Sequence, residues 1–162
     1  MKLIKLTTIF AILLMVAGSA FGQDDAGRKL KAMLTGAAEV PGPGDTDGGG
    51  MAAIRINQGQ NQVCYDLAVT NIATATAAHI HEGAADVAGP VVVTLTAPAA
   101  NGMSMGCVDA SADLIKRLRQ MPEMFYVNVH NAEFPNGAVR GQLGKKHMNM
   151  TPSPSPSPSP TP

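Results

Sequence analysis

His79 and His81 stand two residues apart in the run Ala77–Gly83, AAHIHEG. In an extended strand, residues i and i+2 project to one face, about 7 Å apart at the backbone. Two imidazoles so placed can converge on one metal ion. A third ligand must come from elsewhere in the chain, and His130 is the candidate. It closes the run Phe125–His130, FYVNVH, on the same face as Tyr126 and Asn128. Three neutral imidazoles suit copper or zinc. The competing use is structural: His79 and His81 would hydrogen-bond to loops and hold Gly83–Gly89 in place. Methionine supplies a second hint. Met103 and Met105 form one M-x-M pair, and Met148 and Met150 another, with His147 just ahead of it. Thioethers are soft ligands that favour Cu(I), which makes these five residues candidate accessory ligands. Their alternative is ordinary exposed methionine in loops.

Other chemistries find little support. Glu39, Asp66, Glu82, Asp86, Asp109, Asp113, Glu123 and Glu133 are scattered. Asp45 and Asp47 lie in GPGDTDGGG, which lacks the 12-residue EF-hand pattern and reads as a turn. Gly102–Gly106 spells GxSxG around Ser104, but no strand-to-helix elbow pattern surrounds it, so a hydrolase is unsupported. The chain of 162 residues has 12 basic and 12 acidic side chains. Such a balance lacks the basic patch of a nucleic-acid binder.

The elements that must position these residues begin after an address. Residues 1–22 combine Lys2 and Lys5 with an apolar run from Ile9 to Val16 and small residues at Ala20 and Gly22. That is the pattern of a cleaved signal peptide, with Gln23 as the new N-terminus. Loss of Lys2 and Lys5 leaves 10 basic residues against 12 acidic. No second apolar run reaches spanning length, so no transmembrane segment is expected in the mature chain. Export to the periplasm or the medium is the expected localisation. In an oxidising compartment Cys64 and Cys107, the two cysteines of the chain, are expected to pair. The chain-entropy model gives roughly 4 kcal/mol for closing a loop of that length. From residue 147 the chain passes into a Pro/Ser-rich tail, TPSPSPSPSPTP from Thr151, expected to be extended and disordered. The folded domain is thus expected over residues 28–146.

Within it, Gln62–Val69 alternates with period two, as does Phe125–His130. Pro90–Leu95 is a β-branched run. Ala138–Leu143 follows a turn at Pro135-Asn136-Gly137, which predicts a hairpin with the preceding strand. Lys29–Leu34, Met51–Ile56 and Ala77–His81 are weaker strands. One helix is predicted over Ser111–Met121, capped by Ser111 and stopped by Pro122. Leu114, Ile115, Leu118 and Met121 form its apolar face, and Lys116, Arg117 and Arg119 a solvated one. The expected fold is all-β: a Greek-key β-sandwich of immunoglobulin-like or superoxide-dismutase-like type, with one short helix. Its core should include Ile54, Ile56, Val63, Tyr65, Leu67, Val92, Leu95, Leu118, Val127, Val129, Val139 and Leu143.

The blocks LTGAAEVP (Leu34–Pro41), AAHIHEG, GPVVVTL (Gly89–Leu95) and FYVNVHNAEFPNGAVRGQL (Phe125–Leu143) together resemble the chordin-type (CHRD) domain over about Leu30–Leu143. The chain departs from the usual pattern at Ala138, where an acidic residue commonly follows the glycine. The resemblance implies a secreted all-β domain, found in animals in an extracellular antagonist of growth factors and in bacteria in small exported proteins. The order of an H-x-H strand, a late V-x-V-H strand and a Gly/Arg strand is also similar to the copper strands of copper–zinc superoxide dismutases. By position, that similarity implies copper ligation by His79, His81 and His130, and a role for Arg140 in holding an anion. The metal-bridging histidine and the zinc ligands have no counterpart here, and the cysteine pair is placed differently.

Three functions follow from these readings. The first is an exported metal-binding protein, copper favoured, using the three histidines. The second is a non-catalytic interaction or matrix module with an envelope or extracellular protein partner, in which the histidines brace loops and Arg140 pairs with Glu82 or Glu133. The third, with least support, is an enzyme of the dismutase kind.

Overall fold

A computed structural model describes residues 27–145. Nine strands form one antiparallel sheet: β1 (Arg28–Thr35), β2 (Gly49–Asn57), β3 (Gln62–Thr70), β4 (Ala75–Glu82), β5 (Val91–Leu95), β6 (Met103–Asp109), β7 (Phe125–Asn131), β8 (Val139–Gln142) and β9 (Gly144–Lys145). The hydrogen-bonded order is β5-β4-β7-β8-β1-β2-β3-β6, with β9 on β1. The sheet curls until its two end strands face each other, giving a nearly closed barrel. Ser104 Oγ donates to Thr96 O at 2.8 Å across that seam. The Tyr65 hydroxyl accepts from Thr96 N at 3.0 Å and donates to Thr96 Oγ1 at 2.9 Å. The order is not sequential: β3 jumps to β6 and β4 to β7, which is the Greek-key connectivity expected of the all-β class.

Period-two alternation explains which strands formed. In β3, Val63, Tyr65, Leu67 and Val69 are buried and the residues between them are not. In β1 and β2 the inward set is Leu30, Ala32, Leu34 and Ala52, Ile54, Ile56. Strands β7 and β8 form the predicted hairpin, with Val129 opposite Val139. The single α-helix among the described residues, α1 (Ala112–Gln120), starts where Ser111 Oγ accepts from Leu114 N at 3.2 Å. It packs against β2 and adds Leu114, Ile115 and Leu118 to the core.

Two expectations need correction, and two strands were not foreseen. In β5 the buried residues are Val93 and Leu95, while Val92 is only partly covered, because alternation turns it to the opposite face from Val93 and Leu95. Met121 is exposed: the helix ends before it, and the chain turns into a 3-10 segment at Pro122–Met124. Strand β6 was not anticipated, because its alternation is inverted. Met103, Met105 and Cys107 face outward, while Ser104, Gly106 and Val108 face inward. The two-residue strand β9 offers no pattern to read. Cys64 and Cys107 are register partners on β3 and β6 and form the expected disulfide. The expected signal peptide of residues 1–22, position 146, and the expected tail from 147 with His147, Met148 and Met150 lie outside the described residues. Among those residues, no helix is long and apolar enough to cross a membrane.

Candidate metal centre

The outward face of β4, β7 and β8 is unusually polar for a surface so well covered. Strand β4 sends Ala78 and Ile80 to the core and His79 and His81 outward. Strand β7 sends Phe125, Val127 and Val129 inward, and Tyr126, Asn128 and His130 to the histidine side. The register sets His79 beside Asn128, His81 beside Tyr126 and Ala77 beside His130. Arg140 of β8 follows beside Asn128. Three loops fold over this face: 36–48, 83–90 and 132–138.

His79, His81 and His130 meet there as predicted. Their ring centroids are 5.0 Å (79–130), 5.5 Å (79–81) and 6.1 Å (81–130) apart. One ligand nitrogen from each ring lies within 4.8 Å of the other two. Three nitrogens on one ion, at bonds of about 2.0–2.1 Å, would stand roughly 3.3–4.1 Å apart. The rings therefore need only a small inward movement to share an ion.

Hydrogen bonds identify which nitrogens are available. His81 Nδ1 stands 2.9 Å from Gly89 O. A carbonyl accepts only, so Nδ1 carries the proton and Nε2 keeps its lone pair. His130 Nδ1 stands 3.1 Å from Pro135 O, which frees His130 Nε2 in the same way. His81 Nε2 is buried and has no hydrogen-bond partner among the described residues. His79 Nδ1 approaches His130 Nε2 at 3.1 Å. Without an ion, His79 Nδ1–H donates to that lone pair. With an ion, the His79 proton would move to Nε2, and the donor set would be His79 Nδ1, His81 Nε2 and His130 Nε2. Carbonyl partners that fix the tautomer of a ligating histidine are usual in metal sites.

Burial holds all three imidazoles below their ordinary pKa. For His79 desolvation comes first and its neighbour His81 second; for His130 it is desolvation, then His79. For His81 desolvation leads, opposed by the Gly89 bond and reinforced by Arg140. Neutral rings are the form that binds a metal.

Tyr126 lies between His81 and Arg140. The His81 ring stacks on it at 4.8 Å with 10° between planes, and the Arg140 guanidinium carbon is 3.4 Å from its centroid. The Tyr126 hydroxyl accepts from Gly89 N at 3.0 Å. Arg140 is 1% exposed, donates from Nη2 to Ala84 O at 2.8 Å, and leaves Nη1 without a partner among the described residues. The expected pairing of Arg140 with Glu82 or Glu133 is not formed. Glu82 instead pairs with Arg117 of α1, which reaches it from the helix surface. The carboxylate whose charge Arg140 feels is Glu39.

Glu39 was one of many scattered carboxylates in the sequence, and nothing in its spacing set it apart. In the fold it is buried, and Asn128 Nδ2 donates to its Oε2 at 3.2 Å. Desolvation pushes its pKa up to about 7, against the pull of Arg140 and Asn128. Two glycines make room for it. A Cβ on Gly44 would stand 2.6 Å from Glu39 Cγ, and one on Gly137 2.6 Å from Glu39 Oε1. Gly137 also has φ +144°, which disfavours a side chain. The motif around Glu39 thus meets the Pro135–Gly137 turn in space, a contact between segments nearly a hundred residues apart. Met103 and Met105 lie on β6 and share no strand with the histidines.

A family model for the CHRD domain matches residues 30–143, most of the chain. The chain belongs to the CHRD-domain family. No curated protein and no solved structure matches it. The matched span runs from β1 to the residue after β8, so the CHRD unit contains the histidine strands, the Glu39 loop and the disulfide. A CHRD domain carrying a disulfide is that of an extracellular or secreted module.

Proposed function

We propose that this CHRD domain is an exported copper-binding module whose ion is held by His79, His81 and His130. The observation that carries the reading is the convergence of three imidazole nitrogens within 4.8 Å. The buried, unpartnered His81 Nε2 supports it, since an orphaned buried acceptor is costly unless something uses it. Three neutral nitrogens and an oxidising compartment favour copper over harder ions. The similarity of the histidine order to the copper strands of superoxide dismutases points the same way.

Copper titration of the full chain tests it. His81→Gln keeps much of the side-chain bulk but removes the imidazole ligand. It should weaken copper binding more than about 100-fold while the domain stays folded. A variant that retains copper as well as the parent would overturn the site. Superoxide consumption by the copper-loaded protein tests the enzymatic extension.

The second reading, a non-catalytic interaction or matrix module, has its own observation. His81 and His130 each hold a loop by a carbonyl, Gly89 O and Pro135 O. In that reading a protein partner is recovered from the envelope whether or not metal is present, and His81→Gln affects stability alone.

A further inference from the structure

The even charge balance of the whole chain conceals a segregation in the fold. Eight arginines and lysines fall within residues 27–144. Arg140 is buried at the histidine face, and Arg117 is paired with Glu82 and Asp113. The other six, Arg28, Lys29, Lys31, Arg55, Lys116 and Arg119, make no ion pair among the described residues. They lie together, on the first half of β1, the last part of β2 and the surface of α1.

Register and packing join them. Lys29 is directly opposite Arg55, and Lys31 is opposite Ala53. Lys29, Lys31 and Arg55 line a cleft of about 370 Å³ over Leu30, Ala53 and Ile54, with Asp66 at its side. Helix α1 packs against β2. Its Lys116, Arg119 and Gln120 line a second cleft, of about 490 Å³, with Arg28 and Gln58. A Cβ on Gly27 would stand 3.3 Å from Arg55 Cγ, so the Arg55 stem lies against the residue that precedes Arg28. The two clefts therefore adjoin. Asp66 is the one carboxylate lining either of them. Crowded like charges repel one another, and the fold gains no stability from them. Such a surface is suited to anions from outside.

Six cations in two adjoining clefts match a chain of anionic groups better than a single ion. The lining residues include no aromatic ring on which a base could stack. Nor do they offer an apolar anchor for a bilayer, since Leu30 and Ile54 are buried beneath the charged side chains. Gln58 and Gln120 add amides that both donate and accept, which suits a polymer rich in hydroxyls. We propose that Arg28, Lys29, Lys31, Arg55, Lys116 and Arg119 form a docking surface for a linear acidic polysaccharide, with its carboxylate or sulfate groups seated in the two clefts. Arginine forks give the bidentate contacts that carboxylates accept, and lysines the point charges between them. The surface lies on β1, β2 and α1, and the histidines on β4 and β7, so it does not depend on the proposed copper centre.

Calorimetric titration of the full chain with alginate, a carboxylate polymer, and with dextran sulfate tests this, with uncharged dextran as the control. One or both acidic polymers should bind, the tighter one naming the anionic group, and affinity should fall as salt is added. The double variants Lys29→Gln/Arg55→Gln and Lys116→Gln/Arg119→Gln should each weaken binding about tenfold or more at an unchanged melting temperature. His81→Gln should bind like the parent. In the parent itself, amide NMR signals of residues 28–31, 53–58 and 116–120 should shift on addition of an alginate oligomer, a readout that needs no variant to fold. Failure of both acidic polymers to bind would overturn the proposal, as would shifts centred on another face or double variants that bind like the parent. Tighter binding to duplex DNA or to phosphatidylglycerol vesicles would overturn it in favour of a phosphate-bearing partner.

Discussion

Glu39 couples the loop over 36–48 to the strands beneath it through a group that resists ionisation. Its ordinary pKa of 4.5 rises to about 7 in the fold. Below pH 4.5 both folded and unfolded chains hold the proton, and the burial costs nothing. As pH climbs towards 7 the unfolded chain releases its proton first, so stability falls, by up to ~3 kcal/mol in all. The histidines act in the reverse sense. Their folded values are depressed, so their contribution is complete above the ordinary value of 6.5 and is lost as pH falls through the folded values. Replacing Glu39 with Gln keeps an acceptor for Asn128 and removes the first effect alone. Urea unfolding should then show Glu39→Gln more stable than the parent at about pH 8, with the difference shrinking towards pH 4.5. Parallel stability profiles for the two proteins would show that Glu39 is ionised at little cost. A second change at this scale is Gly137→Ala. It forces a methyl against the Glu39 carboxyl at a backbone angle suited to glycine, and should cost about 1–3 kcal/mol in the same measurement.

Among the elements, β6 is the one whose place depends most on a covalent bond. It ends the hydrogen-bonded order, and its inward residues are Ser104, Gly106 and Val108, which bury little apolar surface. The Cys64–Cys107 disulfide ties it to β3 across a sequence separation of 43. Replacing both cysteines with alanine should lower stability by roughly 3–4 kcal/mol. Amide exchange should accelerate most in β6; uniform acceleration across the barrel would mean that β6 is held by its ladder instead. The same strand marks where sequence reading stops. Strands β3, β7 and β8 were legible because burial on one face leaves a period-two trace. Strand β6 left the opposite trace, with its apolar residues outside, and so read as a loop. The histidine centre was legible because His79, His81 and His130 sit at strand positions whose facing follows from alternation. Glu39 and the neighbours of Arg140 were not, because they join through loops whose path no local pattern determines.

At the scale of the whole molecule, the barrel acts as a frame that brings distant loops over one face. Residues 36–48 supply Glu39, 83–90 the carbonyls of Ala84 and Gly89, and 132–138 that of Pro135. An ion at the histidines would bind the folded frame far better than the unfolded chain, in which His130 is far from His79 and His81. Binding must therefore appear as stability. At free copper 100 times the dissociation constant, the domain should gain about 2.7 kcal/mol, and a chelator should reverse the gain. Protons compete with metal for the same nitrogens. Because the folded rings hold pKa values below 6.5, the copper-dependent rise in melting temperature should persist somewhat below that pH, then vanish with further acidification. Calorimetric melts with copper, with chelator and with His81→Gln, taken across that range, measure this directly. A rise that survives in His81→Gln would assign the stabilisation to another site. Absence of any rise in the parent would leave His81 and His130 as braces for the Gly89 and Pro135 loops, with His79 bonded to His130.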